Sequence, residues 1–219
     1  MTLAAIGEAA CAHALAVMGA LHPDSDVDFV RGNRPADIGT LVLLGPDGAA
    51  FWPHFTASPE YRDGASGALD RWSARVIGDL AARFRGRALF PFGGPPHHPF
   101  LRWALQSGRA HRSPVGMLVH DRAGLMVSYR GALGLPERLA LTPGGPSPCA
   151  ACADQPCRNA CPVGALHGNR YDVAACKADL DRPGNDCMAQ GCAARRACPV
   201  SRNHGRPAAQ SAFHMRAFR

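Results

Sequence analysis

The sequence predicts an α+β fold in two domains, and three observations support this prediction. The first 142 residues contain both helix-like and strand-like spacing of apolar side chains, as mixed α+β domains do. Residues 143–219 hold eight of the nine cysteines and few long apolar runs. Between the two parts, TPGGPSP at 142–148 breaks helix and strand periodicity. We therefore predict a first domain over 1–142 and a small second domain over 143–219.

Apolar spacing places the elements of the first domain. Residues 3–20 predict a helix, and residues 40–44 predict a strand that ends at the turn sequence GPDG. Residues 68–84 place apolar side chains every three or four positions, which predicts an amphipathic helix. A short strand is predicted over 88–90 and a short helix over 100–105.

A β-hairpin is predicted at the end of this domain. Apolar runs at 115–120 and 125–133 flank Asp121-Arg122-Ala123-Gly124, a polar segment that ends in glycine. His120, in this hairpin, is the first-domain residue that we expect to contact a bound ligand. The simplest interpretation of any single histidine is a surface or hydrogen-bonded side chain, so no catalytic residue is assigned. Cys11, among alanines of the first helix, is expected to be a small core residue.

Composition indicates an ordinary globular protein without a membrane anchor. Hydrophobic residues make up 47% and charged residues 19% of the 219 residues, which excludes a disordered or fibrous chain. The longest apolar stretches are far shorter than the ~20 residues that cross a bilayer. The N-terminus has no basic region and carries Glu8 and His13 within its apolar run, which argues against a secretory signal. We therefore expect the protein in the cytoplasm.

The chain carries a net charge of +7, and Lys177 is its only lysine. A basic excess is found on nucleic-acid-binding surfaces, on docking faces for acidic redox partners and on plain solvated surfaces. No stripe of basic residues interleaved with aromatic ones occurs, which favours the last two interpretations.

Four cysteines open the second domain, with the spacing Cys149-x2-Cys152-x4-Cys157-x3-Cys161-Pro162. Disulfides, zinc and an iron–sulfur cluster all use closely spaced thiols. Disulfides need an oxidising compartment, and nothing in the sequence directs export. Zinc is usually held by two CxxC-type pairs from separate knuckles, which fits one short run less well. An iron–sulfur cluster is therefore favoured over both.

A [4Fe–4S] cluster takes three thiolates from one tight loop, and the fourth cysteine of such a run, followed by proline, goes to a second cluster. This rule predicts a second group of cysteines, and four more do follow, the last again succeeded by proline. Eight cysteines are the number that two cubes require. The predicted metal ligands are Cys149, Cys152, Cys157, Cys161, Cys176, Cys187, Cys192 and Cys198.

These motifs resemble known families. CAACADQPCRNACPVGAL at 149–166 resembles the double-cluster ferredoxin fold, and Pro156 before Cys157 is similar to the iron–sulfur subunits of molybdenum oxidoreductases. YDVAAC at 171–176 resembles the helix of the ferredoxin-like module in epoxyqueuosine reductases and reductive dehalogenases. This resemblance implies one cluster on Cys149, Cys152, Cys157 and Cys198, and another on Cys161, Cys176, Cys187 and Cys192.

The first domain is similar to cobalamin-processing CblC-type proteins, relatives of the flavin nitroreductase fold. TLVLLGPDGAAFWPHF at 40–55 is similar to their first core strand, and the segment 114–136 is similar to a hairpin that lines their corrinoid pocket. Epoxyqueuosine reductases and reductive dehalogenases join such a domain to a two-cluster module, through which electrons reach a corrinoid cobalt. The resemblance implies cobalamin or a flavin as a further cofactor.

Three functions are compatible with these motifs and resemblances. The favoured one is a two-cluster electron-transfer protein that works with a redox partner protein. The second is a corrinoid- or flavin-dependent reductase, so whether the chain is an enzyme stays open. The third is an iron–sulfur module that acts on RNA. Since no segment matches the catalytic acid of epoxyqueuosine reductases, tRNA is the less favoured partner.

Overall fold

The computed structural model of the chain describes residues 1–24, 29, 38–168 and 170–219. The fold is α+β, as predicted, and its paired strands are antiparallel. The helices are α1 (Leu3–Cys11), α2 (Phe51–Thr56), α3 (Pro59–Arg62), α4 (Ala68–Arg83), α5 (Phe100–Gln106), α6 (Val173–Leu180), α7 (Cys187–Gln190), α8 (Ala193–Ala197), α9 (Pro199–Asn203) and α10 (Ala208–Phe218). The strands are β1 (Leu15–Leu21), β2 (Thr40–Pro46), β3 (Arg87–Leu89), β4 (Ala110–Arg112), β5 (Leu118–His120), β6 (Gly131–Leu135), β7 (Leu166–His167) and β8 (Arg170–Tyr171).

The chain divides into two compact units, and each takes residues from two stretches. The first unit comprises Met1–Arg109 and Ser128–Gly144, and the second comprises Ala110–Val127 and Gly145–Arg219. The later division, between residues 144 and 145, falls inside the proline- and glycine-rich segment. The stretch 110–127 groups with the second unit, whereas the sequence placed it in the first domain.

A four-stranded sheet with the order β1-β2-β6-β3 forms the centre of the first unit. Every residue of β2 and β6 is buried, because both strands are continuous apolar runs in the middle of the sheet. Helix α4 packs against β3 and β6, and its buried side chains include Leu69, Trp72 and Val76. The helix predicted over 68–84 and the strand predicted over 40–44 are therefore confirmed, and the strand extends to Pro46.

The helix predicted over 3–20 is wrong in its second half. Helix α1 ends at Cys11, Ala14 adopts a left-handed φ of 52°, and β1 begins at Leu15. Strand β1 then pairs with β2 from Leu15↔Pro46 to Leu21↔Leu41. Pairing within the sheet thus overrides the helix propensity of the alanine-rich sequence.

The predicted hairpin over 115–133 does not form. Strand β5 pairs with β4, while β6 pairs with β2 and β3 in the first unit. The polar segment after β5 closes on itself through an isolated bridge between His120 and Gly124. The five residues of β6, GALGL, are all buried, which suits the middle of a sheet better than a half-exposed hairpin.

The second unit consists of short helices and two-stranded pairs around a small core. Its strand pairs are β4 with β5 and β7 with β8, and helix α10 packs against α7. Val115, Val119, Leu125, Leu166 and Ala194 form its buried apolar cluster together with Cys157 and Cys198. Within the described ranges, no helix combines the length and the apolar character needed to span a membrane.

Candidate metal centre

All eight predicted ligands lie in the second unit, and prolines shape the backbone around them. Pro148 and Pro156 each begin a 3₁₀ turn whose next residue is a cysteine, Cys149 and Cys157. Proline suits this place because its fixed φ fits the first position of a helical turn. Cys198 caps α9, and Pro199 is the first residue of that helix. All nine cysteines of the chain are free thiols in this structure.

Four of the cysteines line one cavity of about 260 Å³. They are Cys149, Cys152, Cys157 and Cys198. Three of them belong to the first motif, and the fourth comes from the end of the second motif. The resemblance to ferredoxin-like modules implied this same set for one cluster. We call this cavity the first site. Its other lining residues are Ser113, Pro114, Val119, Leu125, Pro148, Ala151, Gln155, Pro156, Pro199 and Val200.

Two thiols of the first site are buried, and those of Cys149 and Cys152 are half-buried. Cys157 is 7% and Cys198 is 8% exposed, and both pack with Val119 and Leu125. Burial raises the pKa of the Cys157 thiol, and the charges of the other three thiolates raise it further. Burial is also the main cause that raises the pKa of Cys149. Four such thiolates need a nearby positive charge to be stable, and a bound metal cluster supplies one.

The other four cysteines form a second group, which we call the second site: Cys161, Cys176, Cys187 and Cys192. Burial raises the pKa of Cys176, and the charges of Cys192 and Cys161 contribute to the same shift. Burial also raises the pKa of Cys187, with a contribution from Cys192. Cys192 is therefore near enough to Cys176 and Cys187 for their charges to interact, and Cys161 is near enough to Cys176.

Hydrogen bonds reach two sulfur atoms of the second site. The Tyr171 hydroxyl lies 3.4 Å from Cys176 Sγ and donates to it, and the Ala165 N–H donates to Cys161 Sγ at 3.3 Å. Hydrogen bonds to sulfur stabilise its negative charge and are one of the factors that set cluster potentials. The chain therefore offers the second site donors that suit thiolate ligands.

Two part-buried arginines lie in the second unit without a carboxylate partner among the described residues. Arg195 Nη1 donates to the Leu125 carbonyl at 2.6 Å, and Arg206 Nη1 donates to the Met126 carbonyl at 3.2 Å. Burial lowers the pKa of Arg195. Burial and then the charge of Arg195 lower the pKa of Arg206 to about 10. Because buried charges are usually paired with an opposite charge, we expect an anionic group near Arg195 and Arg206.

A site for a single metal ion has a different geometry from a site for a cluster. No group of three or more His, Cys, Asp or Glu side chains in the described ranges is arranged to hold one metal ion. A [4Fe–4S] cluster binds its thiolates on separate irons, so it spaces them farther apart than a single ion does.

Neither His120 nor Cys11 lines the cavity of the first site. The His120 side chain is fully buried, and its Nδ1 accepts hydrogen bonds from the Arg122 and Ala123 N–H groups at 3.1 and 3.3 Å. These bonds hold the turn after β5. The prediction that Cys11 is a core residue is wrong, because α1 ends there and buries Ile6, Ala9 and Ala10 instead, which leaves Cys11 exposed.

Sequence reasoning did not find two parts of this site. Ser113, Val119 and Leu125 line the first site although they precede the first cysteine motif. The apolar residues of 115–119 indicate a strand in the sequence, but they do not indicate contact with the cysteines. Arg195, between Cys192 and Cys198, carried no signal beyond its position in the second motif.

Comparison of the chain with family models, with curated proteins and with solved structures finds no match.

Proposed function

We propose that the second unit binds two [4Fe–4S] clusters and that the protein transfers electrons. One observation carries the proposal: Cys149, Cys152, Cys157 and Cys198, which come from two separate motifs, line one cavity. Double-cluster ferredoxin-like domains share ligands between motifs in this way. The charge interactions that link Cys176 to Cys192 and Cys161 support a second site built from the remaining four thiols.

The residues of the second unit would hold and shield the clusters. Val119, Leu125 and Val200 surround the cysteines of the first site and keep water away from the sulfur atoms. Ala165 and Tyr171 donate hydrogen bonds to sulfur at the second site. When bound, such clusters supply one-electron redox chemistry, and the protein supplies ligands, orientation and electrostatics.

Cluster binding also accounts for how so small a core is stabilised. The apolar cluster of the second unit includes Cys157 and Cys198 themselves. A cluster held by these two residues ties segments that are distant in sequence, and the free energy of metal binding adds to that of folding. Metal binding and folding of this unit are therefore coupled in the proposal.

A reducing compartment and a protein partner complete the proposal. Thiolate ligands persist where disulfides do not form, so we place the protein in the cytoplasm. The segment from Cys149 onward carries ten Arg and Lys residues and five Asp residues. An acidic redox partner protein would complement this charge.

Anaerobic purification followed by iron and sulfide analysis tests the proposal. We expect about eight iron and eight sulfide per chain and a brown chromophore that dithionite bleaches. Colourless protein with paired cysteines, or protein that holds zinc, would contradict it. A corrinoid or flavin band in addition to the iron would favour the reductase. A salt-dependent shift of tRNA in a gel would favour the module that acts on RNA.

A further inference from the structure

We propose that the Ser113 hydroxyl donates a hydrogen bond to an inorganic sulfide of the cluster at the first site, and that this bond raises the reduction potential of that cluster. The inference rests on the proposed function, because it needs a cluster in the cavity that Cys149, Cys152, Cys157 and Cys198 line. Ser113 supplies a hydrogen bond in this proposal and takes no part in ligation.

The Ser113 hydroxyl is buried without a hydrogen-bond partner. Ser113 is 8% exposed, and it lines the same cavity as the four thiols. Its Oγ forms no hydrogen bond to any described residue, the four cysteines included. A buried hydroxyl without a partner is unfavourable, because it has lost its bonds to water and gained none. The first site therefore offers a donor to a ligand that lies among its cysteines.

Other buried serines among the described residues have partners. Ser73 Oγ donates to the Leu69 carbonyl at 2.7 Å. Ser201, in the second unit, accepts a hydrogen bond from the Leu125 N–H at 2.9 Å. Ser113 is buried like these serines, but its hydroxyl lacks the protein partner that they have. Its acceptor is therefore expected to be a bound group.

The backbone around Ser113 holds its side chain in place. The pairing of β4 with β5 continues at Ser113, whose N–H donates to the Met117 carbonyl at 2.9 Å. The Ser113 carbonyl accepts from the Gly116 N–H at 3.0 Å and closes a four-residue turn. Pro114 is the second residue of this turn, where its fixed φ is favoured. Both backbone groups of Ser113 are thus satisfied, and the hydroxyl is the polar group that is left.

The cavity lining has few polar side chains. Apart from the cysteines, the described lining residues are apolar except for Ser113 and Gln155. Gln155 is half-buried, and its Oε1 already accepts a hydrogen bond from Arg158 Nε at 2.6 Å. Within this described lining, Ser113 is therefore the buried side chain other than cysteine that has a hydrogen to donate.

A donor at this place favours reduction of the cluster. Reduction adds one negative charge, which the sulfur atoms share, and the hydroxyl hydrogen carries a partial positive charge. In an apolar surrounding of low dielectric, this attraction is stronger than in water. The electron comes from an external one-electron donor, which is oxidised, and the serine proton stays on Oγ. Loss of the hydroxyl would therefore lower the reduction potential.

Redox titration of the reconstituted full-length chain, followed by electron paramagnetic resonance, tests the inference. The signal that remains in Cys176→Ser identifies the first site, because that variant lacks a ligand of the second. Ser113→Ala is expected to lower the first midpoint potential and to leave the second potential and the iron content unchanged. Ser113→Thr keeps the hydroxyl and should restore the natural potential.

Ser211→Ala is the matched control, because Ser211 is a buried serine of the same unit that does not line the cavity. It removes the same atom and should leave the first potential unchanged. Resonance Raman spectra in H2O and D2O give a second readout. The deuterium shift of the Fe–S stretching bands of the first site should be smaller in Ser113→Ala than in the natural protein.

Full iron content with an unchanged first potential in Ser113→Ala would overturn the inference, and so would an equal fall in Ser211→Ala. A structure of the cluster-loaded natural protein in which Ser113 Oγ bonds to a buried water or to another residue, and not to sulfur, would overturn it without any variant. Absence of iron–sulfur clusters from the natural protein would instead contradict the proposed function.

Discussion

The cysteines differ sharply in their surroundings at the scale of single residues. Cys157 is buried in the first site, while Cys11 is exposed at the end of α1. We predict that Cys157→Ser loses about half of the bound iron, because one of the two proposed four-iron sites loses a thiolate. Cys11→Ser should keep full iron content. Iron per chain after anaerobic reconstitution measures both, and equal iron in the two variants would contradict the assignment of Cys157.

Arg130 is a buried arginine of the first unit, and its charge is paired with a carboxylate. It is 8% exposed, Nη2 lies 2.5 Å from Asp70 Oδ1, and Nε donates to Ser73 Oγ at 3.0 Å. Asp70→Asn leaves the buried guanidinium without a counter-charge. Since the carboxylate is half exposed, we expect the free energy of unfolding to fall by only about 1–2 kcal/mol.

Asp79→Asn serves as the control for Asp70→Asn, because Asp79 is exposed on the same helix, α4. Chemical denaturation measures both variants. A loss for Asp79→Asn as large as that for Asp70→Asn would show that helix charge, and not the Arg130 pair, is responsible.

At the scale of elements, Gly124 allows the turn after β5 to pack closely against α9. Gly124 has φ of 56°, and a Cβ there would overlap the backbone nitrogen of Ser201. Ser201 Oγ accepts a hydrogen bond from the Leu125 N–H at 2.9 Å, so the two segments are joined next to the first site. We predict that Gly124→Ala destabilises the second unit and lowers its iron content.

Gly168→Ala separates backbone strain from close contact. Gly168 has a similar φ of 53°, but a Cβ added there would meet no described atom within 4 Å. Both variants carry the strain of a left-handed alanine, about 1–2 kcal/mol. Thermal unfolding should show a larger loss for Gly124→Ala, and equal losses would mean that the contact with Ser201 relaxes freely.

The elements that sequence predicted correctly are those whose burial pattern is local. Helix α4 shows a regular apolar face, and β2 is a continuous apolar run before a turn, so neighbouring residues alone indicate each. Strand β1 and strand β6 depend on distant partners: β1 pairs with β2, and β6 lies between β2 and β3. A local pattern of apolar residues does not show which distant strands will pair. The sequence therefore predicts a long helix where β1 lies and a hairpin where β6 begins.

For the candidate metal site too, the sequence predicted the features that depend on local spacing and missed those that depend on tertiary contacts. Cysteine spacing is a local property, and it indicated that Cys149, Cys152 and Cys157 belong together, whereas Cys198 was added to this set by the resemblance to ferredoxin-like modules. Leu125 reaches the same cavity from outside both motifs, and Arg195 is held by the Leu125 carbonyl. Contacts of that kind follow from the tertiary structure and left no pattern in the sequence.

At the scale of the whole molecule, the two units are stabilised by different means. The first unit has a four-stranded sheet whose central strands, β2 and β6, are fully buried. The second has short helices around a core that contains Cys157 and Cys198. Because two of the seven buried residues of this core are proposed metal ligands, we expect its stability to depend on bound metal, whereas that of the first unit should not.

We therefore predict that removal of iron unfolds the second unit selectively. In hydrogen exchange of the full chain followed by mass spectrometry, amides of α7 and α10 should lose protection after chelation under reducing conditions. Amides of β2 and β6 should keep theirs, because their hydrogen bonds lie within the sheet of the first unit. Reconstitution with iron and sulfide should restore protection to α7 and α10. Equal protection of these helices with and without iron would show that the apolar cluster alone holds the second unit together.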